Sequence, residues 1–314
     1  NLHSDLSHLF IFFNIHETSM RQQILTISLC CVFILSALSD VLSQPLHRTD
    51  LSNLRVNAFA QDSLGYIWIA TANGLCKSFG ESYDVFFYDE ADEHSIPSNL
   101  ITGLYVDDAS KLWISTGKGI CSMARGKYEF HRYSQSTSTG MESFFLGFVQ
   151  YAGRIYTYGY NGLYEIDEKN KTLIPRIEVD RQVIYGAVTD SHGNLWLTNG
   201  AELIKLDRSL SLISKIVVGR DDVVNCMVSD REKILLGTEN GIKLLDLHSL
   251  EISDGDFPHA LDDLRINQML PVDGGRKLLI STRNKGALVY DMETRDVISR
   301  YNNDEFADIP SVDI

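Results

Sequence analysis

Along most of the chain the apolar residues come in short runs separated by Asp, Asn, Gly and Ser. No stretch between residues 52 and 301 sustains the 3.6-residue apolar stripe of a helix. The stretch DSLGYIWIATANGL, from Asp62 to Leu75, shows the unit. Asp and Gly frame a turn, an apolar run follows almost without alternation, and Asn73-Gly74 closes a tight hairpin. A run that is apolar at every position is expected of a strand covered on both faces. A second such stretch, DDASKLWISTGKGI, begins at Asp107.

Aligned on Trp68, the pattern returns in six registers: YIWIATANGL, KLWISTGKGI, RIYTYGYNGL, NLWLTNGAEL, KILLGTENGI and KLLISTRNKGA. The anchors are Trp68, Trp113, Tyr156, Trp196, Leu235 and Leu279, at intervals of 45, 43, 40, 39 and 44 residues. A strand-only repeat of this period predicts the blades of a β-propeller, each of four short antiparallel strands lettered A to D from the axis outwards. In the first unit LRVNAFAQD is strand A, YIWIAT strand B, LCKSF strand C and YDVFFYD strand D. The fold class is therefore all-β, with six blades present and the start of a seventh. The Trp68-type anchors are expected to pack blade on blade, and the Asp, Gly and Asn to make turns. IPSVDI at Ile309–Ile314 repeats IPSNLI at Ile96–Ile101, so the chain is expected to stop while opening that seventh blade. Pro45–Thr49, ahead of the first strand A, is expected to supply the outer strand of the seventh blade and so close the ring.

The N-terminus follows other rules. From Met20 the sequence MRQQILTISLCCVFILSALSDVLSQP has a basic start, an apolar run from Ile24 to Leu38 and small residues near Ser39 and Ser43. That is the pattern of an export signal over 20–43. The run is shorter than the ~20 residues a membrane span needs. Residues 1–19 are expected to be translated upstream sequence, and 44–314 the propeller. The formal net charge of −14 argues against a general nucleic-acid or polyanion binder. Beyond the signal, Cys76, Cys121 and Cys226 have neither disulfide nor metal spacing. Cys76 and Cys121 each stand two residues after a hairpin glycine and are expected to be small buried hydrophobes.

The repeat D-x-x-G-x-[IL]-W-[IL]-x-T-x-x-G-[IL], with the lead-ins LSNLRVNAFAQD and HSIPSNLITGLYVDD, resembles the regulator-propeller repeat of two-component sensors. It is similar above all to the periplasmic sensor region of Bacteroidetes hybrid two-component systems, over residues from about Pro45 onwards. The resemblance implies a periplasmic propeller that detects oligosaccharides from polysaccharide breakdown and regulates their utilisation genes. It also implies a second propeller, a β-sandwich, a membrane helix, a histidine kinase and a response regulator downstream in the parent chain. This segment itself would then be no enzyme, would need no cofactor or metal, would bind no nucleic acid, and would meet the membrane only through the downstream region.

No motif of nucleophilic, metal or phosphate chemistry stands in the sequence; Asp89–His94, DEADEH, lacks the glycine and glutamate of a calcium loop. Loops on a rigid scaffold carry function, and in a propeller the B–C hairpins and D–A connections share one face. The candidate ligand residues there are Lys118, Tyr160, Asn161, Glu239, Arg283 and Lys285 on hairpins, with His94, Arg181 and Arg220 on connections. Flat rings suit sugar faces, and Arg forks suit carboxylates. Two other readings stand beside the sensor: a secreted propeller enzyme, lyase or glycosidase, and a dimerising scaffold that binds no ligand.

Overall fold

The computed structural model describes residues 46–48, 51–53, 55–79, 82–135, 144–219, 222–283 and 286–301. The expected upstream segment, the export signal and the seventh-blade start at 309–314 lie outside the described residues. Strand β1 (Leu46–Arg48) is followed by the first blade, β2 (Val56–Gln61), β3 (Ile67–Thr71), β4 (Gly74–Phe79) and β5 (Ser82–Phe86). Blade 2 is β6 (Ile101–Val106), β7 (Leu112–Thr116), β8 (Gly119–Met123) and β9 (Phe130–Gln135). Blade 3 is β10 (Phe145–Tyr151), β11 (Arg154–Asp167) and β12 (Thr172–Val183). Blade 4 is β13 (Gly186–Thr189), β14 (Leu195–Thr198), β15 (Glu202–Leu206) and β16 (Leu212–Val217). Blade 5 is β17 (Val224–Asp230), β18 (Lys233–Thr238), β19 (Gly241–Asp246) and β20 (Ile252–Ser253). Blade 6 is β21 (Ile266–Val272), β22 (Lys277–Thr282), β23 (Ala287–Asp291) and β24 (Asp296–Tyr301). Within each blade consecutive strands pair antiparallel. Among the described residues the only helical elements are two three-residue 3-10 turns, His259–Leu261 and Asp273–Gly275.

The strand β11 contains two blade strands. Arg154 and Glu165 close to 2.6 Å, whereas eleven extended residues would separate them by roughly 36 Å. The chain reverses at Tyr160–Gly162, where Asn161 and Gly162 take φ of 68° and 134°. Blade 3 therefore has four strands like the others.

The core is a set of blade interfaces, each built on one anchor. Trp68 packs with Leu104 and Ile114 of blade 2, and Trp113 with Phe145 and Phe148 of blade 3. Tyr156 meets Leu195 and Leu197, Trp196 meets Val224 and Ile234, and Leu235 meets Leu278 and Ile280. Leu279 of blade 6 packs with Phe59, Ile69 and Cys76 of blade 1. No gap separates blades 6 and 1 among the described residues. The Gln268 side chain bridges this junction, with Oε1 accepting from the Phe59 N–H at 2.7 Å and Nε2 donating to the Phe59 carbonyl at 3.4 Å.

One expectation is corrected. Strand β1 does not build a seventh blade. It pairs antiparallel with β5, Leu46 opposite Val85 and Arg48 opposite Tyr83, and adds a fifth strand to blade 1. The physical reason is an available edge: β5 exposes one unpaired row of backbone groups, and the chain just ahead of blade 1 satisfies it.

Candidate functional site

Both ends of strand B are fixed by side chains that the repeat places at constant offsets. At the A–B turn, Asp62 Oδ1 accepts the N–H groups of Leu64 and Tyr66, and Oδ2 accepts the Trp68 indole N–H at 2.9 Å. Asp107 does the same for Ala109, Lys111 and the Trp113 indole at 2.8 Å. Asp190 does so for His192, Asn194 and the Trp196 indole at 2.8 Å. Burial alone would raise the Asp190 pKa, but the bonds from the Asn194 backbone and the Trp196 indole outweigh it and hold the carboxyl below its ordinary value. At the B–C hairpin, Thr71, Thr116 and Thr238 donate to the carbonyls of Gly74, Gly119 and Gly241. Each threonine also accepts the N–H of the residue two positions on. The A–B turns thus form one face of the ring, and the hairpins and D–A connections the other.

On the hairpin face the residues singled out from the sequence fall into local groups. Lys118 is exposed, with Nζ 5.8 Å from the centre of the Tyr88 ring, and the Arg132 guanidinium lies 5.6 Å from the same ring. Tyr160 and Asn161 form the blade 3 tip together with Phe144, whose carbonyl accepts the Tyr160 N–H at 2.9 Å. Tyr160 is half-buried rather than a free tip, because β12 continues past the hairpin and sets Val183 opposite it. Glu239 is anchored: its Oε1 accepts from Asn225 Nδ2 at 3.1 Å, and its Oε2 lies 3.3 Å from Arg265 Nε. Arg283 is exposed, and its backbone N–H donates to the Arg265 carbonyl, so Glu239, Arg265 and Arg283 share the junction of blades 5 and 6. His94 is exposed on the connection between blades 1 and 2. Lys285, Arg220 and the Arg181 side chain lie outside what is described.

Three exposed rings were not singled out: Tyr88, Phe144 and Tyr185, all on D–A connections. Tyr185 and Val223 flank Gly200, where any side chain would touch both. These residues follow or precede apolar strand runs, so the pattern reads them as strand ends. Their position one or two residues outside a strand was the available signal.

The ring axis holds a cavity of about 460 Å³ lined by strand A residues of all six blades, among them Gln61, Tyr105, Gln150, Thr189, Ser229 and Gln268. Burial, with the Asp108 and Asp107 carboxylates adding to it, pushes the Tyr105 phenol up to about 12. Burial likewise pushes the Cys226 thiol up to about 12. The wall therefore offers neutral hydrogen-bonding groups and apolar surface. Among the described residues no three Cys, His, Asp or Glu side chains are placed to hold a metal ion, and no helix is long and apolar enough to cross a membrane.

Residues 50–73 match the two-component regulator propeller family, one repeat that includes the Asp62–Trp68 turn. No curated protein matches in sequence. Among solved structures the chain is similar to the extracellular domain of a proposed hybrid two-component system of B. thetaiotaomicron. That match has 18% identity and a TM-score of 0.63, over 82% of this chain and 38% of that one. A second extracellular domain from the same organism aligns with 18% identity and a TM-score of 0.61, over 82% and 37%. Virginiamycin B lyase from Staphylococcus aureus aligns with 15% identity and a TM-score of 0.58, over 82% of this chain and 87% of the lyase. These likenesses establish the propeller fold. The chain spans less than two fifths of the length of the two sensor domains.

Proposed function

We propose that this propeller is a ligand-input domain of a two-component signalling receptor, exported to the periplasm by residues 20–43 and joined in its parent chain to a histidine kinase. The observation that carries the reading is the regulator-propeller match at residues 50–73, whose Asp, Trp and Thr offsets recur around the ring. The ligand class is an oligosaccharide from polysaccharide breakdown, and it docks on the hairpin face. Exposed rings at Tyr88, Phe144 and Tyr185 offer stacking surfaces there, and Lys118 and Arg283 offer donors. The rings belong to connections and the donors to hairpin tips, both of which vary between blades, while the Asp–Trp clamp recurs in blades 1, 2 and 4. A specificity surface needs that separation of variable tips from constant core.

Calorimetry on the complete sensor region with a panel of polysaccharide digests tests this reading. Saturable binding of one oligosaccharide family is expected. Turnover of a saccharide by lyase or glycosidase chemistry, abolished by changing one carboxylate on this face, would replace the sensor reading by an enzyme.

A further inference from the structure

Two histidines and a glutamate meet across the junction of blades 4 and 5, on the face opposite the hairpins. His192 stands in the A–B turn of blade 4, Glu232 in the A–B turn of blade 5, and His248 in the loop between β19 and β20. The Nε2 atoms of His192 and His248 lie 3.5 and 3.4 Å from the same oxygen, Glu232 Oε2. Both distances are long for hydrogen bonds to nitrogen, which cluster at about 2.9–3.0 Å. They match instead two edges of a tetrahedral metal site, where bonds of about 2.0–2.2 Å hold ligand atoms about 3.3–3.6 Å apart. The third edge is open. The ring centres are 6.2 Å apart, whereas two imidazoles on one tetrahedral ion bring them to about 5 Å. The trio is therefore not in coordinating positions as it stands, and closing it takes a shift of roughly 1 Å. The backbone of each residue is already fixed. The His192 N–H donates to Asp190 Oδ1 at 3.0 Å, the His248 N–H donates to Asp246 Oδ1 at 2.9 Å, and the Glu232 carbonyl accepts the Leu247 N–H at 3.0 Å. The His192, Glu232 and His248 side chains are 48%, 50% and 74% exposed, so their tips can swing that far without disturbing the core.

We propose that His192, Glu232 and His248 bind a divalent transition-metal ion of the zinc type, which closes the trio around itself and ties blade 4 to blade 5. Imidazole nitrogens select zinc, copper or nickel, whereas magnesium and calcium prefer shells of oxygen. Three protein ligands leave the fourth position to water, which the exposure of the trio permits. Ser191 Oγ lies 3.5 Å from His192 Nδ1, on the side where an outer partner orients a ligating imidazole. The formal net charge of −14 favours a cation over an anion here. The competing reading is a plain ion pair in which protonated imidazoles share the carboxylate. Exposed pairs of that kind contribute little, and two cationic rings side by side repel each other. An ion held only by the native ring stabilises it according to the ion's concentration, so the site makes the firmness of this junction depend on zinc. The inference does not rest on the saccharide or on the sensor reading.

The test is calorimetric titration of the full chain, first stripped with a chelator, with zinc chloride alone and with magnesium chloride as the control. Saturable zinc binding is expected, with an affinity that falls at least tenfold in His192→Ala and in His248→Ala. His259→Ala, at an exposed histidine on the connection between blades 5 and 6, should leave it unchanged. Zinc, and not magnesium, should also raise the melting temperature of the native chain and slow amide exchange in the turns at 190–194 and 231–233. Both effects should vanish when His192 and His248 are replaced together. The two histidines lie on turns and outside the core, so the variants keep the fold, which circular dichroism checks. No zinc binding, an affinity indifferent to both histidines, or an equal loss in His259→Ala would overturn the site. A loss of stability in the histidine variants, with no effect of zinc on the native chain, would overturn it too and mark the trio as an ion pair only.

Discussion

Each of the three tryptophans is held by the aspartate six residues before it, and this pairing joins turn chemistry to blade packing. The indole is buried against the next blade while its one polar atom is satisfied inside its own blade. Asp190→Ala should therefore destabilise the fold by about 1–3 kcal/mol, because it leaves a buried indole N–H and two turn amides without their acceptor; urea denaturation measures it. The pH sign follows from the depressed carboxyl. Its stabilisation is complete above the unfolded-state value near 4 and is lost as pH falls through the lower folded value. Stability of the native chain should drop on that acid limb, and the drop should shrink in Asp190→Asn. The anchors were legible in the sequence as packing residues because burial follows from an apolar strand at a fixed period. The second duty of the aspartates was not, since a turn-former and a hydrogen-bond acceptor are the same residue type until the turn brings the indole to it. Cys76 and Cys121 were legible too: both are buried thiols at equivalent places, Cys76 opposite Ile69 and Cys121 opposite Ile114.

Among elements, the inner strands approach most closely where a side chain is missing. A Cβ on Gly103 of β6 would overlap the Leu146 carbonyl oxygen of β10 and crowd the Ser115 hydroxyl. Gly103→Ala should cost about 1–3 kcal/mol or more by overpacking, read as a lowered melting temperature with the blade 2–blade 3 boundary opening first in hydrogen exchange. Strands A to C and their hairpins were legible because the turns carry Asp, Asn and Gly at required positions; even Ser110, where the turn glycine is lost, keeps φ at 60°. Outer strands and connections were less so. β1 joins blade 1 through backbone pairing with β5, which no side-chain pattern encodes. Tyr160 sits beside β12 because that strand runs on to Val183, a length its mixed sequence TLIPRIEVDRQV does not announce.

For the whole molecule, ring closure rests on contacts between residues far apart in the chain. Asn57 donates to the Ile101 carbonyl at 2.6 Å, Thr102 to Phe145 at 2.7 Å and Asn225 to Ile266 at 3.0 Å, while Gln268 grips Phe59 across the last junction. Gln268→Ala should leave the Phe59 N–H without this acceptor and cost about 1–3 kcal/mol, with the Phe59 amide losing exchange protection ahead of the global transition. The candidate site was legible as a face and not as a set of residues: hairpin tips could be counted from the repeat, but the exposed rings on the connections had no fixed place in it. The central claim is that this face receives the ligand. Calorimetry of the complete sensor region with its cognate oligosaccharide tests it, comparing Tyr160→Ala, Tyr185→Ala and Arg283→Ala with Ser63→Ala on the opposite face. Loss of about 1–3 kcal/mol of binding in hairpin-face variants, with Ser63→Ala unchanged, is the predicted result; unchanged affinity in all three, with folding intact, would contradict it.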